Sequence, residues 1–128
     1  MCLINLVPSR RKYFYKVVTK TKDGKYFSPF AGTEIYTYRI TYARRATNDG
    51  LYYWNNPMIT GFRNYKEAVT FSKEKNNTIS YRPNVKIIKL KALSKVYDGI
   101  FSGTWNDIIC HRDYLACCSK KVEFVKEM

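Results

Sequence analysis

The stretch Tyr13-Phe14-Tyr15-Lys16-Val17-Val18-Thr19-Lys20-Thr21, followed by Lys22-Asp23-Gly24-Lys25, decides the fold class. Its β-branched and aromatic residues favour an extended chain. Asp23-Gly24 is a strong hairpin signal, because a tight two-residue turn needs a positive φ that Gly adopts without steric cost. The return strand is Tyr26-Phe27-Ser28, stopped by Pro29. Parity puts Lys12, Lys16, Lys20 and Lys22 on one face, interrupted by Phe14 and Val18. Tyr13, Tyr15, Val17, Thr19 and Thr21 take the other.

Outward from this hairpin, residues 35–42 alternate, with Tyr36, Tyr38, Ile40 and Tyr42 against Ile35, Thr37, Arg39 and Thr41. The spacing predicts a strand whose tyrosine stripe belongs to the core. After Pro83, Val85-Lys86-Ile87-Ile88-Lys89-Leu90-Lys91 alternates with a slip between Ile87 and Ile88. A β-bulge there would turn Lys86, Lys89 and Lys91 to one side. Val96–Phe101 and residues 121–126 are further strand candidates, the latter with Val122 and Phe124 in phase, while residues 105–115 are ambiguous and residues 107–117 read as a short helix or as a turn into an edge strand. One helix is expected within residues 64–76. Asn64 caps it, Glu67 falls at its third position, and Tyr65, Ala68, Val69, Phe71 and Ser72 recur at helical spacing. The expected architecture is one α+β domain spanning residues 1–128: a bent, mostly antiparallel sheet of about six short strands with one main helix.

Composition supports a folded, basic protein. The 128 residues carry 23 Lys and Arg against 10 Asp and Glu, a formal charge of +13, and the excess is threaded through folded segments rather than confined to a tail. Apolar residues make up 45% and aromatics 16%, dominated by 12 Tyr, which excludes a disordered basic arm. A surface of this sign repels itself, and an anionic partner offsets that cost. No apolar run approaches the ~20 residues of a membrane helix. The opening Met1-Cys2-Leu3-Ile4-Asn5-Leu6-Val7 lacks the basic flank and cleavage pattern of a signal peptide.

No catalytic motif is present. The single histidine, His111, adjoins Cys110, and neighbouring residues rarely reach each other as a Cys–His pair must. No phosphate loop, nucleophile elbow or dinucleotide fingerprint occurs. Cys110, His111, Cys117 and Cys118 do not have the paired spacing of a zinc site, and small buried thiols are the simpler reading. Neither a metal nor any other cofactor is expected.

The basic and aromatic residues together suggest an anion-binding face. The candidates for phosphate contact are Arg10, Arg11, Lys12, Lys16, Lys20, Lys22 and Lys25, with Arg39, Arg44, Arg45, Lys86, Lys89 and Lys91. Tyr36, Tyr38, Tyr42, Tyr52, Tyr53 and Trp54 are the candidate stacking groups. The expected partner is nucleic acid or a host protein that processes it. An alternative is a pocket for a small anionic nucleotide, lined by Arg39, Arg44, Arg45, Tyr53 and Trp54. An enzyme resembling ADP-ribosyltransferases, with Glu123 or Glu34 as its acid, is the remaining alternative.

Several segments taken together resemble a known grouping. They are Met1-Cys2-Leu3, Tyr15-Lys16-Val17-Val18, Tyr26-Phe27-Ser28-Pro29, Gly61-Phe62-Arg63-Asn64-Tyr65 running into Glu67-Ala68, and Val85 through Lys91. Their order is similar to that in a loose group of small bacteriophage-encoded proteins, whose pattern has a His where this chain has Arg63. The basic charge, on a phage-type chain, gives the expectation of an anti-defence or inhibitory role in the host cytoplasm; the resemblance itself implies only a phage-type accessory protein of α+β fold. It implies no particular activity.

Overall fold

The computed structural model describes residues 3–28, 33–43, 58–74, 83–101, 104–105, 108–109 and 112–128. Among these, 57% lie in strands and about 9% in one helix. The chain is therefore mostly β, and the expectation of an α+β fold with about six strands is overturned. In chain order the elements are β1 (Ile4–Ser9), β2 (Tyr13–Lys20), β3 (Tyr26–Phe27), β4 (Glu34–Ile35), β5 (Thr41–Tyr42), β6 (Ile59–Phe62) and α1 (Tyr65–Ser72). There follow β7 (Val85–Ala92), β8 (Val96–Phe101), β9 (Thr104–Trp105), β10 (Ile108–Ile109), β11 (Tyr114–Ser119) and β12 (Lys121–Glu127). The added strands escaped the sequence reading for a physical reason. β6 and β11 are buried on both faces and β1 is exposed along most of its length, so none shows the alternation of a half-buried strand.

Ten strands form one antiparallel sheet in the order β1-β8-β11-β6-β2-β7-β12-β5, with β3 beside β2 and β4 beside β3. The β9–β10 hairpin is a separate two-stranded sheet. Three connections bend this sheet. β1 passes to β2 through residues 10–12, β7 to β8 through 93–95, and β11 to β12 through Lys120 alone. Each connection joins strands from opposite halves of the order, so three chain segments turn one shared corner, as in packings whose strands switch sheets at a bend. The corner is bonded across. The Ala92 amide donates to the Lys12 carbonyl at 2.7 Å and the Leu93 amide to the Lys121 carbonyl at 2.8 Å. The Ser94 and Ser119 hydroxyls lie 2.8 Å apart.

The bend gives the sheet an inner and an outer face. Phe14, Val18, Ile88, Leu90 and Val122 from one half meet Ile59, Val96 and Cys117 from the other inside it. On the opposite face, Val17, Phe62, Phe101, Tyr114 and Ala116 are covered by Ala68 and Phe71 of α1. Gly61 is required where β6 crosses β2. A Cβ there would stand 2.6 Å from both the Phe14 ring and the Tyr15 carbonyl oxygen. Gly24 turns the β2–β3 hairpin at φ +84.

The helix lies where its cap predicts. Asn64 Oδ1 accepts from the Glu67 amide at 2.9 Å. The Glu67 carboxylate does not return the bond to the cap; it accepts from the Leu115 amide at 3.2 Å and from Arg112 at 2.8 Å. The Tyr114 hydroxyl donates to Glu74, so Glu67 within α1 and Glu74 just past its end both tie to β11.

Two further expectations fail. Residues 35–42 are not one strand: the chain bends at residues 37–39, and the Thr41 hydroxyl takes the Tyr36 amide at 2.9 Å in place of a ladder bond. Ile35 is the buried residue of this stretch, whereas Tyr38 is 74% and Tyr42 57% exposed, so the tyrosine stripe is not core. β7 has no bulge against β2; its register runs unbroken from Tyr13↔Lys91 to Thr19↔Val85. The irregularity lies in β12, between Phe124 and Lys126. β7 loses its alternation because apolar residues sit on both faces, Ile88 and Leu90 inside and Val85 and Ile87 beside the helix.

Candidate nucleic-acid interface

Pairing across β2, β7, β12 and β5 determines what shares the outer face. Directly opposed residues of an antiparallel pair point the same way. Tyr13 opposes Lys91 and Tyr15 opposes Lys89. Lys91 opposes Glu123 and Lys89 opposes Lys126. Lys121, two residues before Glu123, opposes Tyr42. Leu90 and Val122, of the other parity, are buried in the interior.

The outer face beyond the helix therefore presents Tyr13, Tyr42, Lys89, Lys91, Lys121 and Lys126, with Glu123 among them. Tyr13, Tyr42, Lys91, Glu123 and Lys126 are exposed; Lys89 and Lys121 are half-buried. Two cations lie over rings. Lys89 Nζ is 4.6 Å from the Tyr13 ring centre, and Lys121 Nζ is 5.6 Å from that of Tyr42. At the helix margin, the exposed Tyr65 packs on Tyr15 with ring centres 6.0 Å apart. Three strand spacings separate β2 from β5, about 14 Å, or about four stacked nucleotides.

Of the residues selected from sequence, Lys89 and Lys91 lie in this face, and exposed Lys12 borders it beside Tyr13. Lys86 does not join them. It opposes Val18, so it belongs to the other side of the sheet. Lys20 is on that side too, paired with Glu127 at 3.0 Å and lying over the Tyr26 ring. Its ammonium is held above the usual lysine range, chiefly by the hydrogen bond to Glu127.

Lys16 departs furthest from expectation. It is 7% exposed, and its Nζ donates to the Thr60 carbonyl at 2.8 Å. Parity with Phe14 and Val18 carries it into the interior, where burial pushes its pKa down to about 8. A group so enclosed cannot reach a phosphate. Arg11 is also committed: Nε and an Nη each reach a separate oxygen of Asp98 at 3.2 Å, and the other Nη donates to the Arg63 carbonyl. Arg63 braces the same corner of the sheet, donating to the carbonyls of Ala116 and Gly99 at 2.9 and 2.8 Å.

Arg10, in the β1–β2 connection, and Lys22 and Lys25, in the β2–β3 turn, are exposed but lie outside the strands that form this face. Arg39 lies 4.1 Å from the Tyr36 ring centre and 5.7 Å from that of Tyr38, on the exposed bend leading to Tyr42. Arg44, Arg45, Tyr52, Tyr53 and Trp54 lie outside the described residues, as do Cys110 and His111. Cys117 and Cys118 are buried free thiols on opposite faces of β11, and burial raises their pKa values to about 12 and about 11. Among the described residues no three His, Cys, Asp or Glu side chains gather as a metal site would require. No helix among them is long and apolar enough to cross a membrane.

Sequence reasoning missed Tyr13, Lys121 and Lys126. The parity of β2 already separated Tyr13 from the inward lysine set, and the phase of Val122 and Phe124 implied an outward Lys121 and Glu123. Only the pairing of β7 with both strands brings these residues together. No family model, curated protein or solved structure matches the chain.

Proposed function

We propose that the chain binds single-stranded nucleic acid across the outer face of β2, β7, β12 and β5. Bases stack on Tyr13 and Tyr42, while Lys89, Lys91, Lys121 and Lys126 meet phosphates. The observation that carries this reading is the strand register, which sets two tyrosine–lysine pairs on one exposed face. Stacking on an aromatic is worth about 1–3 kcal/mol per base and tolerates any sequence, and lysines alongside supply the phosphate attraction. The charge of +13 favours encounter with such a polyanion. The role that accords with the phage resemblance is an accessory or anti-defence factor, which captures nucleic acid or occupies a host protein that processes it.

The test is titration of labelled single-stranded and duplex oligonucleotides at two salt concentrations. Four phosphate contacts on a single strand predict a slope of log K against log salt of about −3. Binding to single strands stronger than to duplex, with that slope, supports the reading. Absence of binding at low salt overturns it.

A further inference from the structure

Among the described residues, Glu123 is the one acidic side chain that register places among the four lysines of the outer face. It stands directly opposite Lys91, two residues from Lys121 on the same strand. It is exposed and forms no ion pair within 4.0 Å among the described residues, although cations surround it. A carboxylate can only accept hydrogen bonds. On a surface that merely held phosphates it would repel the ligand, so its spare oxygens suit a ligand group that donates.

The base edges of nucleic acid differ in what they donate. Guanine presents two adjacent donors on its Watson–Crick edge, the ring N–H and the exocyclic amino group, at the separation of two carboxylate oxygens. Cytosine and adenine each present one amino donor beside an acceptor. Thymine and uracil present one ring N–H between two carbonyl oxygens, which would face the carboxylate unfavourably. Tyr42 opposes Lys121, so Glu123 is its diagonal cross-strand neighbour, about 7–8 Å away. A base stacked on the Tyr42 ring thus brings its edge within reach of Glu123.

We propose that Glu123 makes this face selective for guanine in single-stranded nucleic acid, accepting from the Watson–Crick edge of a base stacked on Tyr42. The inference rests on the nucleic-acid reading above. A bidentate contact of this kind discriminates on the order of tenfold or more.

The experiment measures binding of a labelled all-thymidine heptamer and of the same heptamer with one central guanosine, by fluorescence anisotropy at fixed salt. Wild type should favour the guanosine strand about tenfold. Glu123→Ala should erase that preference while binding the all-thymidine strand at least as tightly. Replacing guanosine by inosine, which lacks the exocyclic amino group, should remove much of the preference in wild type and nothing in the variant. Tyr42→Ala should also remove it, whereas Lys89→Ala should weaken both strands equally. Equal binding of the two strands by wild type, or a preference that survives in Glu123→Ala, overturns the role of Glu123 and leaves the nucleic-acid reading intact. Binding of neither strand overturns both.

Discussion

Lys16 and Thr60 meet inside the bent sheet, the lysine ammonium donating to the threonine carbonyl at 2.8 Å with the side chain almost closed off from solvent. One hydrogen bond to a neutral oxygen does not replace the hydration of a cation. β2 therefore carries a destabilised charge at its centre.

The consequence is a pH dependence of definite sign. Burial lowers the Lys16 pKa from 10.5 to about 8. Between those values the unfolded chain binds a proton at Lys16 that the native state does not, so the Lys16 contribution to stability rises with pH across that window. Below pH 8 both states are protonated and the full penalty, up to about 3 kcal/mol, is present. Lys16→Met should raise stability at pH 7 by about 1–3 kcal/mol, and that advantage over wild type should shrink as pH rises from 8 to 10.5. Urea unfolding of both proteins across pH 7 to 10.5 measures this; parallel curves would contradict it.

Arg11 is predicted to matter for stability and not for nucleic acid. Its two bonds to Asp98 link the β1–β2 connection to β8. Hydrogen bonds to charged groups contribute about 1.5–3 kcal/mol each where they are shielded, and this partly exposed pair should contribute about 1–3 kcal/mol in all. Arg11→Ala should lower the thermal midpoint and leave oligonucleotide affinity within twofold or so of wild type.

Gly61→Ala tests the crossing of β6 and β2. The added methyl would overlap the Phe14 ring and the Tyr15 carbonyl, and the backbone oxygen cannot swing aside as a flexible side chain could. A loss of at least about 1–3 kcal/mol is expected in chemical denaturation, the range for overpacked interiors. A neutral result would mean that β6 sits further from β2 than described.

Part of this architecture was legible in the residues. Asn64 announced the helix, Asp23-Gly24 announced the hairpin, and the phase of Val122 and Phe124 announced β12. The tyrosines of residues 36–42 misled because Thr41 diverts the Tyr36 amide and breaks the strand, a local competition that periodicity does not register. Ile87-Ile88 misled because a strand covered on both faces mimics a slipped one. Lys16 misled because residue type argues for exposure whereas parity with Phe14 and Val18 argued for burial, and parity won. The proposed binding face was only half visible. Lys89 and Lys91 were selected, but their partners Tyr13, Lys121 and Lys126 come from strands distant in sequence, united by a corner that no local pattern encodes.

The central claim, that nucleic acid lies on the β2–β7–β12–β5 face, is tested most directly by two charge-matched double variants. Lys89→Ala with Lys91→Ala removes two cations from the face; Lys66→Ala with Lys73→Ala removes two exposed cations from α1 and its C-terminal cap. Affinity of a single-stranded oligonucleotide is measured for each across a range of salt. The first pair should weaken binding at least tenfold at low salt and flatten the salt slope by about 1.4, two contacts' worth, while the helix pair changes the slope by much less. Equal effects of the two pairs would mean that net charge alone attracts the ligand, and would contradict a defined face.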